Sequence, residues 1–524
     1  MALQFLFRYV LVWFAKYSFS NLYSFKVDKV SFAINFYKEF KGRSMSAMKN
    51  LKLNCNILNV LDDTFYTLTK SSPLENPKIV SVNTILAKEM KIDNDILNSE
   101  DFKNFINGEY ICEGSTAYAN AYAGHQFGHP VAQLGDGRAL SLGKLNTYQL
   151  QLKGAGSTAY SRRGDGRAVL RSSIREYLMG EAMHGLGIPT SRALGIISSD
   201  TIVLRDHEHE KASIVLRAAK SWIRFGSFEF AYYSNKQTKN IRDLADYVID
   251  ESYPHIKESK NKYKELYFAI VDKTLDLIIL WQSVGFMHGV MNTDNMSIDG
   301  LTIDYGPYAF MENFNAKSIC NTSDYEGRYS YENQPYIGQW NLSVLAKTFS
   351  VIADETIMEN YNNTFIEKYK EKYFDIMSKK LGLVSTVKDD NGLIADLLDV
   401  LEKAEIDYTP FFYYLSCDNK YEIKRLCTYE KDLDTWLTSY EQRVTKQDVS
   451  KEDRLKQMRT INPKYVLKNF MLQEAIELAQ NDDFTLVNDL LKIAQNPYDE
   501  HKEFERYAQS TPKNVQNMLC SCSS

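Results

Sequence analysis

Residues 288–306 read HGVMNTDNMSIDGLTIDYG. Within this stretch Asp294 is followed at once by Asn295, and Asp304-Tyr305-Gly306 begins ten residues after Asp294. A carboxylate, a neighbouring amide and a second carboxylate are the base and the hard oxygen ligands that a metal–triphosphate site requires. Leu301 and Ile303 read as a short apolar strand leading into Asp304. The flanks are helical. Tyr263 to Val284 carries Leu266, Ile270, Leu275, Leu277 and Ile278 at roughly turn spacing, and from Trp340 to about Gln509 helix follows helix with charged faces.

Upstream, from about Val131 to Arg217, short strand-like runs alternate with glycine-rich turns. Ala139 to Leu142 and Tyr148 to Leu152 alternate as half-buried strands do, and Thr201 to Leu204 and Ile214 to Leu216 also have strand character. Between these, Ser172 to Gly185 has helical spacing, with Gly185 as its stop. Gly135-Asp136-Gly137-Arg138 falls between two strands, where glycines let backbone N–H groups wrap a triphosphate. Alone, such a turn is ordinarily only a hairpin. Its context is Lys153, sixteen residues after Gly137 at the end of the strand 148–152, and Glu176, twenty-three residues further on. In kinases a strand lysine binds phosphates and pairs with a helix glutamate. Ser173-x-x-Glu176 is also a capping box, and the two roles differ in direction: a capping glutamate faces its own helix start, a paired one faces Lys153. Between the two lies Ser161-Arg162-Arg163-Gly164-Asp165-Gly166-Arg167, dense in charge and glycine. Arg217 and Arg224 could bind phosphate as planar forks.

A small strand-rich lobe followed by a larger helical lobe is the layout of a protein kinase. The expected fold is therefore α+β, kinase-like and bilobal, with a helical C-terminal extension. One departure matters: His288 is followed by Gly289-Val290, where kinases carry Arg-Asp, so the usual catalytic aspartate is missing. Asp294 is the nearby carboxylate left to act as base. The expected divisions are a leader or early start over 1–47, an N-terminal extension over 48–130 that reads as mixed helix and loop to about residue 120, an N-lobe over 131–235, a C-lobe over 236–420 and a helical region with a cysteine-bearing tail over 421–524.

The chain has 524 residues and a formal net charge of −5, with 44 % hydrophobic and 25 % charged residues. That balance suits a globular protein of two or three packed units and argues against disorder or a global nucleic-acid footprint. The seven cysteines form no CxxC pair and no disulfide framework, so a reducing compartment and no structural zinc are expected. Leu3 to Ala15 is apolar apart from Gln4, Arg8 and Tyr9 and too short to span a membrane, and the basic residues that follow would suit a transit peptide. The expected location is cytoplasmic in a bacterium and mitochondrial in a eukaryote, without stable membrane insertion.

The segments QLKGAG (151–156), GDGRAVLRSSIRE (164–176), HGVMNTDN (288–295), LTIDYGP (301–307) and NQPYIGQWNL (333–342) resemble the selenoprotein O family, from about residue 55 to the C-terminus. The ending Cys522-Ser523-Ser524 is similar to the family's tail, which would make this a cysteine-containing member. The resemblance implies an atypical kinase fold that binds ATP in a flipped orientation and joins AMP to Ser, Thr or Tyr hydroxyls of proteins, with UMP from UTP as a further possibility. It implies Mg²⁺ or Mn²⁺ held by Asn295 and Asp304, and Asp294 as proton acceptor. Gly135, Gly137, Arg138, Lys153, Asp165, Gly166, Arg217, Arg224 and Asp304 would contact the nucleotide, with Glu176 in a structural ion pair. The alternatives are a conventional γ-phosphate kinase and a nucleotide-binding scaffold without activity. Cys320, sixteen residues after Asp304, and Cys522 in the tail are expected to form a reversible redox pair, with Cys520 competing.

Overall fold

The computed structural model describes Met48, Leu51 and residues 52–519, apart from 206, 236–237 and 385–388. The chain divides into two units, Met1–Leu51 and Lys52–Ser524, and every element below belongs to the second. The leader expected over 1–47 and the tail cysteines Cys520 and Cys522 lie outside the described residues.

The fold is α+β. One antiparallel sheet of nine strands runs in the order β1-β3-β5-β6-β9-β8-β2, with β4 on β3 and β7 on β9. The strands are β1 Tyr66–Leu68, β2 Lys78–Val82, β3 Tyr118–Gln126, β4 His129–Gly135, β5 Ala139–Leu145, β6 Tyr148–Lys153, β7 Ala168–Val169, β8 Arg192–Arg205 and β9 Glu208–Ala219. Strands β1 and β2 lie in the stretch to about residue 120 expected to be helix and loop, and β3 begins at its end. The runs there are short, and it is pairing with distant strands that makes them part of the sheet: β1 with β3, and β2 with β8.

The sheet's register places the polar residues of the cleft. Period-two alternation in β6 puts Leu150 and Leu152 on one face and Gln149, Gln151 and Lys153 on the other. Gln151 pairs directly with Arg217 of β9, so the two share the lysine's face. Helix α1 (Leu170–Gly185) follows β7 without a side-chain cap and is buried nearly all round. It starts at Leu170 rather than Ser172, because the chain turns into it straight from the strand and Ser172 bonds back to the Val169 carbonyl at 3.1 Å.

Helices dominate the rest: α2 Phe225–Asn235, α3 Thr238–Ser252, α4 Lys262–Ser283, α5 Gln334–Phe349, α6 Phe365–Lys380, α7 Asp390–Lys403, α8 Tyr408–Ser416, α9 Glu430–Val444, α10 Asn469–Gln480 and α11 Thr485–Gln495. A two-stranded ladder, β10 (Phe286–His288) with β11 (Tyr308–Phe310), closes the base of the loop that carries Asp294, Asn295 and Asp304. The C-terminal helices return to the sheet: Asn488 of α11 accepts from Ser81 at 2.8 Å, and Asp482 pairs with Lys78 and Lys211 at 2.7 and 2.6 Å. Among the described residues no helix is long and apolar enough to cross a membrane.

One buried charge in the helical half yields a stability prediction. Lys380 is 2 % exposed, and its ammonium lies 4.2 Å from the centre of the Phe412 ring with no carboxylate in ion-pair range among the described residues. Burial pushes its pKa down to about 7. The unfolded chain holds this proton up to the ordinary lysine value, so between about pH 7 and 10 the unfolded state binds more protons and stability rises with pH. Lys380→Met is expected to remove that slope and to raise stability at pH 7 by about 2 kcal/mol, the scale of burying one unpaired ammonium. Denaturant melts of both proteins across this range check it; parallel curves would refute it.

Candidate active site

The site is a cavity of about 880 Å³ between the sheet and the loop 289–307. Its polar centre is a network of five charges. Lys153 at the end of β6 meets Glu176 of α1 at 2.6 Å. Glu176 also accepts from Arg217 at 2.7 Å, and the same Arg217 nitrogen donates to Asp304 at 2.7 Å. Arg224 donates to the other Asp304 oxygen at 2.6 Å and to the Asp294 carbonyl at 2.7 Å. Glu176 thus faces Lys153, and the capping role is absent: the N-cap of α1 is Val169, without a side-chain bond.

Three cations against two carboxylates leave the cluster net positive, in a setting with little water to screen it. Burial alone would push Asp304 up, but Arg224, Arg217 and Lys153 outweigh it and hold its carboxyl well below the usual range. Glu176 is likewise held down by Lys153 and Arg217 against the opposite push of burial. The guanidinium groups are fixed from behind by aromatic faces, Arg217 over Trp222 and Arg224 over Tyr122, each 4.5 Å from the ring centre. Gln151 accepts from the far nitrogen of Arg217. Sequence reading missed these supports, although the β6 alternation already set Gln151 on the face of Lys153.

Asp294 has different surroundings. Its Oδ2 is 3.4 Å from the Gln126 amide nitrogen, and its Oδ1 is buried without a hydrogen-bond partner. Burial pushes its pKa up to about 6, against the pull of Arg224. Gly124 and Gly226 are required beside it. A Cβ on Gly124 would stand 2.5 Å from Asp294 Oδ1, and one on Gly226 would stand 2.2 Å from the Ala123 carbonyl oxygen.

The glycine turn lines the same cavity, with Gly135, Gly137 and Arg138 at its rim. Gly137 has no room for a side chain, because a Cβ would lie 2.9 Å from the Tyr160 carbonyl oxygen. Asp136, between the glycines, is buried and accepts from Asn120 at 2.7 Å and Gln151 at 3.2 Å, which ties the turn to β3 and β6. Asp165 and Gly166 also line the cavity. The Asp165 carboxylate pairs with Arg205 at 2.6 Å, and Gly166, at φ +70°, packs its backbone against Gly156.

Asp304 and Asn295 supply hard oxygens. Asp304 spends one contact of each oxygen on arginine, which leaves lone pairs on both. Asn295 donates its amide N–H to the Val290 carbonyl at 3.0 Å, so its Oδ1 remains as acceptor. Among the described residues no group of three or more His, Cys, Asp or Glu side chains could hold a metal ion. Two protein oxygens completed by phosphate oxygens is the pattern of magnesium–nucleotide sites, and this donor set fits it. Cys320 lies apart from the cavity lining, 1 % exposed, with its Sγ 3.5 Å from the Met287 carbonyl.

A family model described as protein adenylyltransferase SelO matches residues 48–495. A protein nucleotidyltransferase YdiU of Herminiimonas arsenicoxydans is 43 % identical over 479 residues, covering 88 % of this chain and 95 % of that protein. Namesakes from Pseudomonas fluorescens, 41 % identical over 474 residues with 88 % and 97 % covered, and from Myxococcus xanthus, 40 % identical over 491 residues with 92 % and 100 % covered, are similar to it.

Proposed function

The chain belongs to the protein adenylyltransferase SelO family and is a nucleotidyltransferase, and from that premise we propose that its cleft moves AMP from ATP onto Ser, Thr or Tyr hydroxyls of other proteins. The observation that carries this reading is the buried cluster of Lys153, Arg217 and Arg224 around Asp304, with Asp294 beside it and unpaired. On this reading the sheet half and the helical half are the lobes of a kinase-like fold, 131–235 and 236–420, with β1 to β3 completing the first and 421–524 bracing both.

The cluster neutralises the β- and γ-phosphates, and the glycine turn with Arg138, Asp165 and Gly166 borders the rest of the nucleotide. The acceptor oxygen attacks the α-phosphorus while the bond from that phosphorus to the pyrophosphate oxygen breaks. Asp294 takes the hydroxyl proton. Pyrophosphate leaves with its charge matched by Lys153, Arg217 and Arg224. Asn295 and Asp304 would hold Mg²⁺ or Mn²⁺, which when bound supplies further neutralisation of the triphosphate. UTP would fit the same phosphate-binding groups.

The test is incubation with ATP labelled at the α- or the γ-phosphate, with Mg²⁺ or Mn²⁺. Label from the α-position is expected on protein. Incorporation of the γ-label alone would establish a conventional kinase, and no incorporation a scaffold.

We also propose that Cys320 pairs reversibly with Cys522. The end of the described chain supports this, since the Asn517 N–H donates to Glu312 Oε2 at 2.8 Å, eight residues before Cys320. Because Cys320 is buried, its segment must open for the bond to form. Peptide mapping of oxidised protein should yield a Cys320–Cys522 peptide, and Cys522→Ser should abolish any difference in activity between oxidised and reduced enzyme. The pairing falls if no Cys320-linked peptide forms.

A further inference from the structure

Strands β3 and β4 form a hairpin whose tip lies on the loop that carries Asp294. The His125 N–H donates to Thr293 Oγ1 at 2.7 Å, the Gln126 amide reaches Asp294 at 3.4 Å, and the Phe127 N–H donates to Asn292 Oδ1 at 3.0 Å. Gln126 and Phe127 line the active-site cavity, and the next residue, Gly128, lies beyond that lining. It is covered by Arg328: a Cβ on Gly128 would lie 3.3 Å from the central guanidinium carbon and 3.4 and 3.5 Å from the terminal nitrogens. The same guanidinium lies over Trp340, 4.8 Å from the ring centre. It is therefore held flat between an aromatic face and a glycine.

No carboxylate lies in ion-pair range of this guanidinium among the described residues, and its Nε is buried without a hydrogen-bond partner. Asp324, in the same loop, spends its carboxylate on the backbone N–H groups of Arg328 and Tyr329 at 2.9 and 2.8 Å. Inside the cleft Arg217, Arg224 and Arg205 sit on carboxylates, while Arg138, which also lines it, has no ion pair among the described residues. An oriented guanidinium fork without a carboxylate of its own matches one supplied from outside.

Spacing sets where that carboxylate would come from. Gln126 touches Asp294, and Gly128, two residues on, touches Arg328. Phe127 and Gly128 are the tight turn of the hairpin, both at positive φ (+50° and +84°), so the two contacts lie close together at its tip. A peptide laid across the hairpin tip with its hydroxyl at Asp294 would present a neighbouring side chain to Arg328.

We propose that Arg328 is a specificity-determining residue that selects protein acceptors carrying Asp or Glu close to the modified hydroxyl. This rests on the adenylyl-transfer reading above. The test uses α-labelled ATP and three synthetic peptides with a central Ser, identical except for Asp, Ala or Lys at the two positions on either side of it. Wild-type enzyme is expected to use the Asp peptide about tenfold better in kcat/KM than the Ala peptide, a rim-charge effect. Arg328→Glu should invert the order in favour of Lys, Arg328→Lys should keep it, and the KM for ATP should not move in either. A merely structural role for Arg328 would lower all three peptides together. Equal use of the peptides by wild type, a preference unchanged in Arg328→Glu, or transfer to whole proteins but to none of the peptides would overturn the proposal. Absence of α-label on any protein would instead remove the transfer reading.

Discussion

Asp304→Ala is expected to bring AMP transfer down to background, a loss of about a thousandfold or more. The carboxylate does two things at once. It neutralises Arg217 and Arg224 at 2.7 and 2.6 Å, and it offers its remaining lone pairs to a divalent cation. Its backbone is placed for this: Asp304 sits at φ +56°, a left-handed conformation that Asp tolerates better than most residues, and the Gly306 N–H closes onto its carbonyl at 2.8 Å. Removing it leaves Lys153, Arg217 and Arg224 facing Glu176 alone. Such uncompensated buried charge costs about 3–5 kcal/mol, so the melting temperature should also fall. Loss of activity could then be mistaken for loss of fold. Nucleotide binding separates the two. The bare cationic cluster should still bind triphosphate, but titrations with and without Mn²⁺ should coincide in the variant and differ in wild type. Metal-dependent binding of wild-type strength in Asp304→Ala would show that this carboxylate is not a ligand.

Local chemistry was readable from the chain; long-range contacts were not. The β6 alternation and the Asp-Tyr-Gly triplet pointed to Lys153 and Asp304 because strand period and turn chemistry act over a few residues. The Lys153–Glu176 contact was also accessible, since one strand and the next helix must pack. The hairpin tip on Asp294 was not, because Gln126 and Asp294 are 168 residues apart and nothing near either announces the other. Strands β1 and β2 escaped for the same reason, being three and five residues long and defined by their partners. Arg205, which takes up the Asp165 carboxylate, escaped as well, since its partner is 40 residues away. Where a site is assembled from separate strands, the sequence shows which groups are chemically able and the packing decides which are spent.

That distinction between able and spent groups underlies the expectation for Asp294→Ala and Asp294→Asn: kcat should fall by about a hundredfold or more, the usual cost of a lost general base. Two carboxylates stand near the α-phosphate position on the proposed reading, and only one is available for a proton. Asp304 is pinned by two arginines and held well below the usual carboxylate range against the upward push of burial, which makes it a poor acceptor. Among the described residues Asp294 has no ion pair, its carboxylate accepts the long hydrogen bond from Gln126, and its Oδ1 has no hydrogen-bond partner. Arg224 touches this residue only through its backbone carbonyl, a contact that both substitutions keep. The phosphate-binding cluster should therefore survive, and the ATP dissociation constant should stay within about threefold of wild type, so that the defect lies in the chemical step. Asp294→Asn is the sharper variant, because it preserves shape and the Gln126 neighbour while removing the basic oxygen. Single-turnover labelling with α-labelled ATP, alongside equilibrium binding of ATP, measures both quantities. Near-normal turnover in Asp294→Asn would mean that the proton leaves by another route, and a loss of binding as large as the loss of rate would assign Asp294 to holding the nucleotide.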